Sequence, residues 1–188
     1  NSVERTLRWA KRGKDIFNNP NQSLFGIVQG GEYEDLRRHC VEELVKMDFD
    51  GYSIGGTSVG EDKPTQYKMV RYATKYLPED KVRYLMGVGD PIDIVENVCN
   101  GVDIFDCVSP TRLARHGHAL TRYGKINIKN AKYKSDFTPI EEGCTCYACQ
   151  NYTKAYIKHL INCEETFGAR LLSIHNIHYL INLTEELR

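Results

Sequence analysis

The sequence lacks several features that would assign it to a special class of protein. Its 188 residues contain no apolar run close to the roughly 20 residues that a membrane-spanning helix needs. The amino-terminal segment, NSVERTLRWAKRGKDIF, is a charged amphipathic pattern and not a secretory signal peptide. The sequence starts within a predicted structural element, so we expect it to be part of a longer chain. We predict a soluble, cytoplasmic globular protein without membrane contact.

A disulfide framework is also lacking. Seven cysteines cannot all be paired, and four of them are scattered singly along the chain: Cys40, Cys99, Cys107 and Cys163. Scattered thiols in a sequence without a secretory signal indicate a reducing compartment. We therefore interpret these four as small core residues or as residues near a site.

The remaining cysteines form a cluster with the spacing of a metal site. Cys144, Cys146 and Cys149 follow the pattern C-x-C-x2-C, which presents three thiolates from one tight loop to a tetrahedral Zn²⁺ ion. The fourth ligand must come from elsewhere, and the candidates are His159, Cys163, His175 and His178. The spacing favours His175 and His178 about equally. Four protein ligands would close the site, so we predict one structural zinc ion.

Net charge is lacking overall, since 25 basic residues balance 25 acidic ones. One stretch departs from this balance: residues 107–135 contain no Asp or Glu. The same stretch contains seven basic residues, namely Arg112, Arg115, Arg122, Lys125, Lys129, Lys132 and Lys134. A charge run is commonly only a solvated face, but a single sign over this length favours contact with a polyanion.

The first 107 residues alternate between short apolar runs and amphipathic segments. The predicted strands are residues 24–29, 51–56, 82–89 and 102–107, and the predicted helices are 33–47, 64–77 and 92–101. This alternation is typical of βαβ units with a parallel sheet. We predict an α/β fold, roughly the C-terminal half of a (β/α)8 TIM-type barrel, although the periodicity alone does not exclude a doubly wound sheet.

The pattern changes after Cys107. Residues 108–150 are predicted to form an antiparallel and zinc-binding insertion, with a turn at Tyr123-Gly124. Residues 151–188 are predicted to be a helical segment that supplies the last zinc ligand and packs back on the barrel.

Polar and glycine residues gather where each predicted strand ends. Asp106 stands at such an end, directly before the acid-free stretch, and neighbouring positive charge would favour the ionised form that a nucleophile requires. Asp103 is three residues away and would point to the opposite face of a strand. Gln29 offers both a donor and acceptors suited to the edge of a heterocyclic base.

Seven motifs in this order and spacing resemble one family. They are FGIVQGG, DGYSIGGTSVGE, YLMGVGDP, GVDIFDCVSPTRLARHG, INIKNAKY, CTCYAC and LLSIHN. Together they closely resemble the C-terminal half of the bacterial tRNA-guanine transglycosylases, and the resemblance covers essentially the whole chain. It implies exchange of guanine 34 in tRNAs with GUN anticodons for preQ1, a 7-deazaguanine base, in queuosine biosynthesis. The resemblance also identifies Asp106 as the nucleophile that holds the ribose covalently.

The resemblance implies further site residues. The base-binding set is Gln29, Gly55, Gly56, Thr57, Met86 and Gly87. The tRNA-contacting set is Gly87, Val88, Gly89, Asp90, Pro91, Ile92 and Asp93, with Thr111, Arg112, Leu113, Ala114 and Arg115. Val59 is implied to leave room for preQ1, Thr57 stands where many members have Leu, and His175 is selected over His178 as the zinc ligand.

The resemblance also shows what the sequence does not contain. The family's general acid/base aspartate and a second aspartate that reads the guanine edge belong to the N-terminal half. We therefore predict that this chain alone is inactive, and that the full-length protein forms a homodimer. The alternative interpretation is a non-catalytic, zinc-containing tRNA-binding module or partner subunit.

Overall fold

The computed structural model describes residues 2–58 and 60–188. They divide into two compact units, Asn1–Cys107 and Val108–Arg188, called here the N-terminal unit and the C-terminal unit. Among the described residues, no helix is both long enough and apolar enough to cross a membrane.

Helices and strands alternate strictly in the N-terminal unit. The elements are α1 (Ser2–Ile16), β1 (Phe25–Val28), α2 (Glu34–Lys46), β2 (Gly51–Ile54), α3 (Lys63–Thr74), β3 (Val82–Leu85), α4 (Pro91–Cys99) and β4 (Ile104–Phe105). The strands form one parallel sheet in the order β1-β2-β3-β4. The predicted α/β class is confirmed, whereas closure of an eight-stranded barrel stays a prediction.

The two faces of this sheet differ. Val28 and Leu85 are fully buried in a core that they share with residues of α2 and α3, such as Leu44. Because strand side chains alternate, their neighbours point to the opposite face. There, Ile27 and Ile104 occupy the same register row and remain 38% and 45% exposed. On this face of the sheet, two apolar side chains at the outer strands are therefore left partly uncovered, whereas Ser53 between them is buried.

Two helices of the N-terminal unit begin at aspartate caps. The side chain of Asp62 accepts a hydrogen bond from the Thr65 amide at 2.9 Å, and Asp90 accepts one from the Ile92 amide at 3.2 Å. A proline follows within two residues in both cases, where its missing N–H costs nothing. The predicted starts of α3 and α4 are thus confirmed.

The C-terminal unit is mainly helical. It contains α5 (Ser109–Arg115), β5 (His118–Thr121), β6 (Gly124–Asn127), a 3-10 helix (Ala131–Tyr133), α6 (Tyr147–Asn151), α7 (Lys154–Asn162) and α8 (Thr166–Leu187). Strands β5 and β6 form an antiparallel hairpin. The core includes Ala114, Ile128, Ile157, Leu171 and Leu172, all fully buried.

The structure corrects three details of the sequence prediction. The strands predicted at residues 82–89 and 102–107 are reduced to Val82–Leu85 and Ile104–Phe105. Helices α5 and α6 were not predicted, because each is too short to show a helical period. The hairpin turn lies one residue earlier than predicted: Thr121 pairs with Gly124, so the turn residues are Arg122 and Tyr123.

Candidate active site and metal cluster

Asp106 lies directly beyond the end of β4, and its carboxylate accepts hydrogen bonds from two residues. The Tyr84 hydroxyl donates to Oδ1 at 2.6 Å, and the Gly87 amide donates to the same atom at 2.9 Å. Tyr84 lies on β3, the neighbouring strand. Both bonds fall on Oδ1, and neither of these donors reaches Oδ2.

These contacts explain the ionisation of Asp106. The Tyr84 hydroxyl, and after it the Gly87 amide, lower the pKa of the carboxyl below its usual range. The same bond raises the pKa of Tyr84. The sequence argument attributed the ionised form to nearby basic residues, whereas the contacts made by the carboxylate come from neutral donors.

Four predicted site residues stand side by side at the carboxyl end of the sheet. The last row of paired residues runs Val28, Ile54, Leu85, Phe105. Each is followed by a predicted site residue, in the order Gln29, Gly55, Met86 and Asp106. Parallel strands in register therefore bring these four positions to one edge of the sheet.

The glycines after β2 let the Gln29 side chain approach the backbone. A Cβ atom on Gly55 would lie 2.7 Å from Gln29 Nε2, and one on Gly56 would lie 2.9 Å from Gln29 Oε1. Gly56 also has a φ of 64°, which disfavours other residues. Any side chain at either position would displace the Gln29 amide.

The residues that follow are partly enclosed. Thr57 is buried, and its carbonyl accepts a hydrogen bond from Gln66 Nε2 at 3.0 Å. Ser58 Oγ donates to the Met86 carbonyl at 3.3 Å, which ties the β2–α3 loop to β3. Val59, which the resemblance links to the choice of base, lies outside the described residues.

The segment Gly87–Asp93 contains both exposed and buried positions. Ile92 is exposed, whereas Val88 and Asp93 are buried. Asp93 accepts a hydrogen bond from the Tyr67 hydroxyl at 2.7 Å and pairs with Lys63. Its carboxylate is thus engaged inside the protein and is not displayed to solvent.

The predicted RNA-contacting residues of the C-terminal unit lie on α5. Arg112 and Arg115 are exposed, Thr111 and Leu113 are half-buried, and Ala114 is fully buried. Only the two arginines therefore offer charged, accessible groups.

The three clustered cysteines and His175 meet in the C-terminal unit. His175 Nδ1 lies 3.7, 3.6 and 3.4 Å from the sulfur atoms of Cys144, Cys146 and Cys149. Tetrahedral zinc, with bonds of about 2.3 Å to sulfur and about 2.0 Å to nitrogen, would hold such atoms about 3.5 Å apart. The four side chains form the metal-binding group found among the described residues.

A second hydrogen bond orients the His175 ring. Its Nε2 lies 2.7 Å from the Leu120 carbonyl, so Nε2 carries the proton and Nδ1 is free to bind a metal. His178, the competing candidate, contacts Thr145 Oγ1 at 3.2 Å and Asn182 Nδ2 at 3.0 Å instead. The choice between the two histidines, open on spacing alone, falls to His175.

The side chain of Asn176, the residue after this histidine, is also fully hydrogen-bonded. Asn176 is fully buried, and its oxygen accepts a hydrogen bond from the Leu120 amide at 2.8 Å. Its nitrogen donates to the carbonyls of Pro110 and His118 at 2.9 and 3.1 Å. The amide thereby fixes α8 against α5 and β5.

The acidities of the thiols fit a cation site. A hydrogen bond from Cys149 lowers the pKa of Cys146 to about 3, and the same contact raises the pKa of Cys149. Burial raises the pKa of Cys144. A divalent ion held by the four side chains would stabilise the thiolate form of all three cysteines.

Sequence reasoning missed two residues that support this site. Tyr84, the principal donor to Asp106, follows from strand periodicity, because it lies on the same face of β3 as Met86. Arg37 is a fully buried arginine beneath the glycine turns. Its helical spacing from Cys40 and Leu44 places it on the apolar stripe of α2 and is the signal that could have distinguished it from the exposed Arg38.

Known proteins of one family match the whole length of the chain. Residues 1–188 match the family model described as Queuine tRNA-ribosyltransferase. Proteins of that name from Staphylococcus aureus (strain JH9) and Macrococcus caseolyticus (strain JCSC5402) are each 56% identical over 188 residues, 100% of this chain. The chain spans about half (50%) of the length of these relatives and corresponds to their C-terminal half. The chain belongs to the queuine tRNA-ribosyltransferase family.

Proposed function

We propose that this chain is the C-terminal half of a tRNA-guanine transglycosylase, a pentosyltransferase that exchanges guanine 34 of GUN-anticodon tRNAs for preQ1. The observation that carries the proposal is the Asp106 carboxylate, ionised by Tyr84 and Gly87 and aligned with Gln29 at the carboxyl end of a parallel sheet. In such sheets this edge is where active sites are built.

Asp106 acts as the nucleophile in this reaction. Its Oδ2 forms a bond to ribose C1′ while the bond from C1′ to N9 of guanine breaks, and the electron pair leaves with the base. The incoming base then loses its N9 proton, attacks C1′ and releases the carboxylate. The proton transfers at the bases require a general acid/base aspartate, which we assign to the N-terminal half.

The base is held by backbone and amide groups around the same edge. We assign this role to Gln29, Gly55, Gly56, Thr57, Met86 and Gly87. The target nucleotide must leave its stack to reach them. The close packing of the Gln29 amide on Gly55 and Gly56 supports a shallow, flat pocket suited to a heterocycle.

The tRNA is bound by Gly87–Asp93 and by Thr111–Arg115. The exposed Arg112 and Arg115 are the groups suited to anticodon phosphates. Within Gly87–Asp93 the exposed backbone makes the contact, because the Asp93 side chain is already held by Tyr67.

The metal cluster holds one structural Zn²⁺ ion, with Cys144, Cys146, Cys149 and His175 as ligands. Four protein ligands leave no open position for a reactive water. The ion stabilises the C-terminal unit and takes no part in the base exchange. The full-length protein is a cytoplasmic homodimer.

The partly uncovered face of the sheet packs against the N-terminal half, which completes an eight-stranded TIM-type barrel. The exposed Ile27 and Ile104 support this arrangement, because apolar side chains of a sheet require cover.

The decisive experiment is trapping of the covalent intermediate. The enzyme is completed by fusing the N-terminal half of the Staphylococcus aureus relative in front of this chain, and denaturing gels then report tRNA adducts. Asp106→Asn should abolish the adduct while tRNA binding persists, and Asp103→Asn should leave the adduct in place. Adduct formation by the Asp106→Asn variant would favour the non-catalytic tRNA-binding alternative for this chain.

A further inference from the structure

Arg37 has the largest fully buried side chain among the described residues. It lies on α2, and its neighbour Arg38 is an ordinary surface residue that pairs with Glu42 at 2.7 Å. A buried arginine usually faces a carboxylate. Arg37 donates hydrogen bonds to backbone carbonyl oxygens, while the Glu61 carboxylate acts on its charge as a lesser electrostatic contribution.

These carbonyls belong to the two glycine turns that follow β1 and β2. Nε donates to the Gly31 carbonyl at 2.7 Å, and Nη2 donates to the carbonyls of Gly55 and Gly56 at 3.2 and 3.4 Å. The stem of the side chain packs on Gly30, where a Cβ atom would lie 2.8 Å from Arg37 Cγ. One guanidinium thus links both turns.

Simple packing does not account for an arginine at this position. Burial lowers its pKa to about 10, so the group is still charged at neutral pH. Nη1 is buried without a hydrogen-bond partner among the described residues. An apolar side chain of similar volume would avoid both penalties. The presence of an arginine is therefore better explained by the backbone carbonyl groups that its N–H donors hold in place.

The donors fix the direction of two peptide groups. In a trans peptide the carbonyl and the following N–H point in opposite directions. Because the carbonyls of Gly55 and Gly56 point at Arg37, the amides of Gly56 and Thr57 must point away from it. Glycine turns with positive φ, such as Gly56 at 64°, can otherwise adopt several orientations.

We infer that Arg37 is a positioning residue of the base pocket. Its buried guanidinium holds the turns after β1 and β2 so that the Gln29 amide and the amides of Gly56 and Thr57 face the base. The inference rests on the proposed function. It is separable from the nucleophile, because Asp106 is held by Tyr84 and Gly87 through contacts that do not involve Arg37.

The first test is steady-state kinetics of the completed enzyme. Arg37→Lys and Arg37→Met should raise KM for the incoming base by about 10-fold or more, because the amides lose their fixed direction. KM for tRNA should change by less than about 3-fold. Arg38→Met is the matched control and should alter neither constant. Equal changes in both KM values, or an unchanged KM for the base, would overturn the inference.

The second test needs no activity, so it separates this inference from the proposed function. Amide hydrogen exchange is measured on the 188-residue chain. Arg37→Lys is the variant used, because it keeps the positive charge and so serves even where Arg37→Met fails to fold. It should accelerate exchange in residues 30–32 and 55–58. Exchange in residues 84–87 should be unchanged. Protection of both turns equal to that in the unsubstituted chain would refute the positioning role even if base exchange is confirmed.

Discussion

At the scale of single residues, the environment of Asp106 depends on one hydroxyl. Tyr84 is the largest cause of the lowered pKa of Asp106. A lowered pKa keeps the carboxylate ionised, and therefore nucleophilic, to lower pH; protonation below that pKa removes the nucleophile.

Tyr84→Phe should therefore raise the pKa of Asp106 and move the acid limb of adduct formation to higher pH. The measurement is the rate of adduct formation by the completed enzyme across a pH series. Tyr76→Phe is a suitable control, since that hydroxyl donates to Glu34 at 3.3 Å and should leave the limb in place. If the acid limb of the Tyr84→Phe variant stays in place or moves to lower pH, Tyr84 is not the group that lowers the pKa of Asp106.

A second residue-scale feature is the contact between Gly89 and Cys107. A Cβ atom on Gly89 would lie 1.7 Å from Cys107 Sγ and 2.5 Å from its Cβ. Gly89→Ala should destabilise the protein by about 1–3 kcal/mol, because the Cys107 side chain leaves no room for a methyl group. Cys107→Gly in the same chain should recover part of the loss.

Urea unfolding of both single variants and of the double variant measures the coupling between them. Gly13→Ala is the control, because nothing lies within 4 Å of the added methyl group. Strictly additive effects of Gly89→Ala and Cys107→Gly would show that the contact is unimportant.

Motifs and strand ends in the sequence predict Asp106, Gln29 and the glycines as site residues, and their roles stay predictions. The residues that hold them in place were not predicted. Arg37 was not, because its role depends on which face of α2 is buried. Tyr84 was not, because its role depends on the register between β3 and β4.

At the scale of structural elements, the metal cluster joins a loop to the helix α8. Its four side chains are separated by up to 31 residues, so a bound ion would close a long loop between Cys144 and His175. Removal of the ion should therefore loosen the C-terminal unit.

His175→Ala should reduce bound zinc and lower the melting temperature of the chain, whereas His178→Ala should retain the ion. Atomic absorption measures the zinc content, and calorimetry with and without a chelator measures the stability. Zinc retention by His175→Ala together with loss in His178→Ala would reverse the assignment.

The elements themselves were predictable to different degrees. The βαβ alternation was identified because strands and helices of ordinary length show their hydrophobic periods. Helix α5 was missed, although its Ser109-Pro110 start is a recognisable signal of a helix amino terminus. The hairpin turn was displaced by one residue, since Gly124, with a φ of 108°, begins β6 and lies outside the turn.

At the scale of the whole molecule, the proposed reaction needs two carboxylates, of which we assign one to Asp106 and the other to the N-terminal half. We expect no incorporation of labelled guanine into tRNA by the 188-residue chain alone. Fusion to the N-terminal half of the relative should restore incorporation, and the fused Asp106→Asn variant is the control. Incorporation by the isolated chain would show that its own residues provide the acid and the base.

The buried Asn176 has a consequence for the evolution of the family. Its amide uses the oxygen and the nitrogen together, with three partners on two separate elements, α5 and β5. Aspartate would lose both donated bonds, and glutamine would carry the amide one methylene too far. Natural variation at this position should therefore be purged by selection, whereas its exposed neighbour Ile177 should be free to drift.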